Sequence, residues 1–299
     1  MKVLVSGASG LVGSAVVSNL ASKGVEILQL VRKSPLDEAH EILWNPAEAI
    51  TDTVKLEGLD AVIHLAGEPV AEGRWTEEKK RRIRESRVLG TKVLAEALAR
   101  LEQKPSVLLS ASAVGYYGSR GSEILTEESA PGDDFLARVC RDWEEATAPA
   151  VEAGIRVVMT RFGIILSAEG GALAKMLTPF KLGVGGRMGS GQQYMSWISL
   201  EDVVGVIDFL LEKGSLSGPV NTVAPKPVTN SEFTDALGDA LSRPTLIPVP
   251  KFALRAAFGE MADTALLASQ RVEPARLKES GYVFRHTELK DALRDILKK

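Results

Sequence analysis

The sequence predicts an α/β protein: a doubly wound parallel sheet followed by a smaller C-terminal α+β domain. Three observations carry this expectation. Short apolar runs alternate with longer amphipathic stretches from the first residue to about residue 160, the pattern of β-α units. The first of these runs ends in three glycines, Gly7, Gly10 and Gly13, ahead of a stretch with helical spacing. Beyond about residue 163 glycine and proline become dense, in "GVGGRMGSG" and "APKPVTN", before helical periodicity returns. With 299 residues, 45% of them apolar, the chain can bury one large core or two smaller ones.

In order, strands are expected at 3–6, 25–31, 61–65, 106–110 and 156–162, with helical stretches at 11–23, 76–101 and 135–153 between them. The second stretch opens with "EEKKRRIRESR", a solvated face from which one or two residues reach a ligand. Later helices are expected at 201–211, 231–241 and 288–297. Thr229 with Glu232, and Ser199 with Asp202, fit the reciprocal pair in which a hydroxyl and a carboxylate satisfy the first free N–H groups of a helix. The expected division is a dinucleotide-binding domain at 1–162 and a smaller substrate-binding domain at 163–299, with the chain crossing between them.

Charge and composition exclude several classes. Thirty-six basic and thirty-nine acidic residues are interspersed, leaving −3, which disfavours nucleic acid or an anionic membrane as partner. The single cysteine, Cys140, has no intramolecular disulfide partner, and no cysteine and histidine cluster has metal-ligand spacing, so no metal is expected. The N-terminal apolar run is too short for a signal peptide and no run reaches the roughly 20 residues that span a bilayer. A soluble, cytoplasmic protein is expected.

The glycines fix the first chemical expectation. In a strand-loop-helix setting the first permits a tight turn, the second lets backbone approach a pyrophosphate, and the third lets the helix pack closely on the strand. Backbone N–H groups at Ser9, Leu11 and Val12, as well as at Gly7, Gly10 and Gly13, then face phosphate at the positive end of the helix dipole. This is a Rossmann-type signature. The second strand ends "LVRKS", with Arg32 and Lys33 where an acidic residue would bond the ribose of NAD; cations there suit the 2′-phosphate, so the expected cofactor is NADP(H). The competing reading is that two bases simply end an apolar strand in water. Leu65, Ala66 and Gly67, in "HLAG", let the adenosine half lie against the sheet edge, and His64 is expected to be a satisfied core histidine rather than a catalyst.

Gly7-x-x-Gly10-x-x-Gly13, "HLAG", the strand ending Ser110-Ala111-Ser112 and "WISLEDVVGVI" together resemble the extended short-chain dehydrogenases/reductases, which include nucleotide-sugar epimerases and dehydratases. "GGALAKMLTPFKLGVGGRMGSGQQYMSWI" and "VEPARLKESGYVF" are similar to an atypical epimerase-like subgroup of the bacterial YfcH type. The resemblance implies a serine, and on the following helix a tyrosine with a lysine four residues later, the lysine lowering the pKa of the phenol that moves a proton as hydride is transferred. Here that helix reads "DDFLARVCRDWEEA", with Phe135 and Val139 at the tyrosine and lysine places. Ser112 alone matches. Tyr116 and Tyr117 are the nearby phenols, acting as acids if a cation or serine lowers their pKa, or else filling the pocket mouth by stacking. The catalytic candidates are therefore Ser112, Tyr116 and Tyr117.

The resemblance also places Arg87, Ser110, Arg161 and Phe162 with the cofactor; for Arg87 a solvated face is the alternative. Lys175, Gln192, Gln193 and Trp197, in the glycine-rich region, are the candidate substrate-binding residues, or else they serve the loop itself. Glu127, Glu128, Asp133 and Asp134 read as a solvated loop and helix cap, and Arg271 as a member of a surface ion pair. Two functions follow. One is an NADP(H)-dependent oxidoreductase or epimerase acting on a small polar or nucleotide-linked substrate; the other is an NADP(H)-binding sensor or scaffold without catalysis.

Overall fold

The computed structural model describes residues 1–298. Its strands are β1 (Lys2–Ser6), β2 (Glu26–Val31), β3 (Glu41–Asn45), β4 (Ala49–Ile50), β5 (Ala61–His64), β6 (Val107–Ala113), β7 (Ile124–Leu125), β8 (Arg156–Phe162), β9 (Ile164–Leu166), β10 (Tyr194–Met195), β11 (Trp197–Ser199), β12 (Gly218–Thr222), β13 (Val228–Thr229) and β14 (Arg271–Val272). The helices are α1 (Leu11–Ser22), α2 (Glu77–Ala99), α3 (Phe135–Glu145), α4 (Ala148–Glu152), α5 (Gly171–Lys181), α6 (Leu200–Glu212), α7 (Asn230–Leu241), α8 (Lys251–Phe258), α9 (Ala275–Glu279) and α10 (Leu289–Lys298).

Eight strands form the main sheet in the order β12-β8-β6-β5-β1-β2-β3-β4, parallel throughout except where β4 turns back on β3. Alternate side chains of each strand feed opposite cores, because successive Cβ atoms point to opposite faces. Val3 and Val5 pack with Val16 and Leu20 of α1 and Val203 and Val206 of α6. Leu4 packs on the other face, with Leu94 and Leu98 of α2. From β1 the chain runs outward through β2 and β3, then returns to the other side of β1 at β5. This reversal leaves a crevice at the carboxyl ends of β1 and β5, where open α/β sheets bind ligands. A further core joins α5, α7 and α10 around Leu173, Phe180, Trp197, Phe233 and Leu293. No helix among the described residues is long and apolar enough to cross a membrane.

The α/β class with its doubly wound sheet matches expectation, but several boundaries differ. The sheet does not end at residue 162: β12 pairs with β8 (Val220 opposite Thr160), and α6 lies on α1, where Asn19 Nδ2 donates to both Asp208 oxygens at 2.8 and 2.9 Å. The stretch 135–153 is two helices, because Pro149 near the start of α4 has no N–H to continue α3. β3, β4 and α5 were not among the expected elements. Thr229 and Glu232 form the full capping box. Ser199 caps α6, accepting from Asp202 N at 3.1 Å, but the Asp202 carboxylate, rather than taking the Ser199 backbone N–H, accepts from Ser199 Oγ (2.9 Å), Arg285 N (2.8 Å) and His286 N (3.0 Å). It thereby ties the C-terminal segment to α6 instead of closing the box.

Candidate functional site

At the carboxyl end of β1 the chain turns through Gly7 at φ +71°, and a Cβ there would lie 2.8 Å from Ala66 N. At Gly13 a Cβ would lie 2.1 Å from Gly7 O. Both positions exclude any side chain, so backbone from β1, α1 and the end of β5 meets in one tight cradle. Gly10 N donates to Gly7 O (3.0 Å) and Gly10 is the N-cap of α1 with no side chain to cap it. The first N–H groups of α1, at Leu11, Val12 and Gly13, are thereby left for a ligand, with exposed Ser9 beside them.

Leu65 N donates to Ser6 O (3.1 Å), holding Leu65, Ala66 and Gly67 against the cradle. Arg87 stands behind them: Nη1 donates to Glu68 O and Ile83 O, both at 3.0 Å, and a Cβ on Gly67 would meet Cζ at 3.3 Å. Its guanidinium lies 5.0 Å from the Trp143 ring centroid, and burial lowers its pKa from the ordinary arginine value. Arg87 thus buttresses the strand end and does not sit on a solvated face. Because Ser6 is opposite Leu30, Arg32 and Lys33 come level with the glycine turn. Both are exposed, and among the described residues neither side chain has a hydrogen-bond or ion-pair partner. An open helix start, a cradle that a Cβ would fill and two unpaired cations at its rim fit a pyrophosphate flanked by a further phosphate.

His64 is fully buried, with Nδ1 2.6 Å from Ser6 Oγ and Nε2 3.0 Å from Thr91 Oγ1, which also accepts from Trp143 Nε1 at 2.9 Å. Burial holds its pKa down to about 4, so it is neutral and structural.

Around residues 110–118, "SASAVGYYG", the structure builds a closed polar network. Ser112 Oγ donates to Glu144 Oε1 (2.6 Å), whose carboxylate takes Nε and Nη2 of Arg161 at 2.8 and 2.7 Å. Arg161 Nη1 donates to Tyr117 Oη (2.9 Å), which in turn donates to Asn221 Oδ1 (2.7 Å). Asn221 N donates to Glu127 Oε1 (3.0 Å). Ser112 is 2% exposed, Arg161 2% and Tyr117 0%. Ser112 and Tyr117, expected as catalytic candidates, are thus buried with their hydroxyls bonded inside the network, and Tyr117 does not fill a pocket mouth.

The pKa expectation is also overturned at Tyr117. A cation and an amide do contact the phenol, but burial outweighs them and pushes its pKa up to about 12. Tyr116 differs: its ring is half-buried and lies 3.5 Å from Arg161 Cζ, edge-on to Tyr117. Arg161, expected at the cofactor, is instead the hub of this network; Ser110 is also buried, its hydroxyl without a partner. Phe162 is half-buried and packs on the α1/α6 core. Glu127 is buried rather than solvated, with Oε2 unpartnered and its pKa raised by burial, whereas Asp134 does cap α3 through Ala137 N (2.9 Å).

Sequence reasoning missed Glu144, Asn221 and Glu127 as members of this network. Glu144 had a legible signal: it falls four residues after Cys140 and seven after Ala137 on the buried stripe of α3, where a carboxylate requires a cation. Cys140 on that stripe is pushed up to about 12 by burial, which keeps the thiol protonated. Phe135 and Val139, at the tyrosine and lysine places, pack in an apolar cluster with Trp75, Ile83 and Met261, with the Trp75 ring 5.3 Å from Phe135.

Of the expected substrate residues, Trp197 is 0% exposed, its Nε1 donating to Lys226 O at 3.0 Å; it is core, placed there by the pairing of β11 with β9. Gln193 is buried and braces its own loop, Nε2 to Met188 O at 3.0 Å. Gln192 is exposed and, with Gln193, Tyr194, Ser122, Lys251 and Ser269, lines a cleft of about 450 Å³. Lys175 lies apart from that cleft, on α5. Arg271 has no ion pair among the described residues; its guanidinium sits 5.0 Å from the Tyr194 ring centroid.

Comparison with known proteins follows the same outline. The model of the NAD dependent epimerase/dehydratase family matches residues 3–222, and a domain of unknown function matches 249–296. The Epimerase family protein Mb2239 of Mycobacterium bovis is 45% identical over 291 residues, covering 97% of this chain and 96% of its own length. The crystal structure of the human epimerase family protein SDR39U1 with NADPH superposes with a TM-score of 0.91 at 34% identity, covering 100% of both chains. A nucleoside-diphosphate sugar epimerase from Corynebacterium glutamicum gives 0.81 at 41% identity, covering 99% of this chain and 58% of that one. With the glycine cradle at a switch point of the sheet and a family match over most of its length, this chain belongs to the NAD dependent epimerase/dehydratase family.

Proposed function

We propose that the chain binds NADP(H) in the glycine cradle and acts as an oxidoreductase or epimerase on a small polar or nucleotide-linked substrate. The observation that carries the cofactor reading is the pair of unpaired cations, Arg32 and Lys33, level with the open start of α1. The human relative crystallised with NADPH supports it. The Corynebacterium relative described as a nucleoside-diphosphate sugar epimerase supports the substrate class. In this reading Gly7, Gly10, Gly13 and the N–H groups of Ser9, Leu11 and Val12 hold the pyrophosphate, and Leu65, Ala66 and Gly67 form the wall beside it. Bound NADP(H) supplies or accepts hydride. Of Ser112, Tyr116 and Tyr117, the half-buried Tyr116 has the access that proton transfer or substrate stacking needs, and Ser112 and Tyr117 hold Arg161 beneath it. Gln192 on the rim of the 450 Å³ cleft is the substrate contact. The buried, unpaired Cys140 suits a reducing compartment such as the cytoplasm.

A second reading, an NADP(H)-binding sensor without catalysis, is favoured by one observation: Phe135 and Val139 are apolar core where relatives of the superfamily are expected to carry their proton-transfer pair. Equilibrium titration tests the cofactor. Replacing both Arg32 and Lys33 by alanine should weaken NADPH about tenfold or more and leave NADH nearly unchanged; equal affinity of the wild-type chain for the two dinucleotides defeats the reading. A screen of carbonyl compounds and nucleotide sugars with NADPH, repeated on Tyr116→Phe, separates enzyme from sensor.

A further inference from the structure

Helix α5 joins both walls of the cradle. At its start, a Cβ on Gly170 or on Gly171 (φ +71°) would meet a Leu11 methyl at 3.3 Å, so this backbone lies directly on the first residue of α1. One turn later Lys175 Nζ donates to Ala71 O at 2.8 Å, in the loop 68–76 that continues from Leu65, Ala66 and Gly67. That loop is fixed at its root by the Glu68–Lys79 ion pair (2.7 Å) and by Arg87 on Glu68 O, and is closed on itself by Trp75 Nε1 to Val70 O (2.8 Å). Arg74 Nη1 carries it on to Ala256 O of α8 at 3.0 Å. The inner face of α5, Leu173, Leu177 and Phe180, belongs to the C-terminal core, so α5 is anchored to that part of the molecule.

We propose that α5 is a cover over the dinucleotide cradle, that Lys175 is its latch, and that the latch sets how fast the nucleotide leaves. Lys175, expected to touch substrate, is on this view a positioning residue acting through loop 68–76. The bond suits a latch because an exposed, long side chain reaches a backbone carbonyl and can let go without disturbing a core. The inference rests on the cradle being the dinucleotide site. The test compares the wild-type chain with Lys175→Met and the conservative Lys175→Arg. Without nucleotide, amide exchange in residues 68–76 should quicken in Lys175→Met and be unchanged in α7 and α10. With NADPH, stopped-flow displacement should show release about fivefold faster in Lys175→Met, restored in Lys175→Arg, with the preference for NADPH over NADH kept. Unchanged release from a chain that binds NADPH tightly overturns the latch and leaves the cofactor reading standing, whatever the exchange shows. A wild-type chain that binds no NADPH overturns the cofactor reading, and the latch with it.

Discussion

Replacing Glu144 by glutamine removes one charge from the buried network and keeps its shape. In the wild-type chain the Glu144 carboxylate takes two N–H groups of Arg161, at 2.7 and 2.8 Å, and the hydroxyl of Ser112 at 2.6 Å. The Arg161 and Glu144 side chains are 3% and 10% exposed, so water cannot replace the lost charge. Burial disfavours the charged guanidinium, but its bonds to Glu144 and Tyr117 outweigh this and hold its pKa above the ordinary arginine value. Glu144→Gln therefore leaves a buried cation without its counter-charge, with one amide oxygen at position 144, Tyr117 Oη, the Tyr116 face and the more distant Glu127 O at 3.4 Å as neutral partners. Removing one member of a buried pair costs about 3–5 kcal/mol. The partners that remain put this variant near the lower figure, which for a chain of this size is a fall in Tm of about 5 °C.

The assay is a double-mutant cycle by urea and thermal unfolding with Arg161→Met. The double variant has no stranded charge and should be more stable than Glu144→Gln alone, with a coupling of about 1.5 kcal/mol or more. A Glu144→Gln chain within about 1 kcal/mol of wild type, or strictly additive single changes, would refute the view that this network is a buried ion pair holding Ser112 and Tyr117 in place.

Gly13→Ala would place a Cβ 2.1 Å from Gly7 O, so the turn must open, costing about 1–3 kcal/mol and most NADPH binding; calorimetry and titration read both. His64 has its folded pKa lowered from 6.5 to about 4, so its contribution to stability is full above pH 6.5 and is lost as pH falls toward 4. Urea midpoints across that window should drop more steeply for wild type than for His64→Gln, and parallel curves count against a buried neutral imidazole. Tyr117 has its folded pKa raised from 10.0 to about 12, so its contribution is full below pH 10 and is lost as pH rises through 12. Ultraviolet phenolate absorbance should show Tyr117 ionising only near that upper limit, a step absent in Tyr117→Phe; ionisation of Tyr117 near pH 10 in the folded chain contradicts its burial.

Local spacing was enough for the parts of the molecule whose physics is local. The cradle was legible because Gly7, Gly10 and Gly13 act within one turn on a backbone that no side chain could adopt, and Arg32 and Lys33 follow their strand by one and two residues. The five expected strands and the cap at Thr229 were legible for the same reason, since alternation and capping need only near neighbours. Long-range contacts decided the rest. Tyr117 and Asn221 lie 104 positions apart in the chain, Lys175 and Ala71 also 104, and Arg161 and Tyr117 44. Whether Ser112 and Tyr117 face a ligand or a buried carboxylate depends on which face of α3 lies over β6 and β8, and a single strand's alternation names two faces without saying what covers each. Sequence by itself determined the glycine cradle and the sheet that carries it. Only the tertiary structure decided that the serine and tyrosine behind it are locked, that Trp197 is core, and that Lys175 reaches the loop beside the cradle, because burial and charge pairing are properties of distant segments brought together.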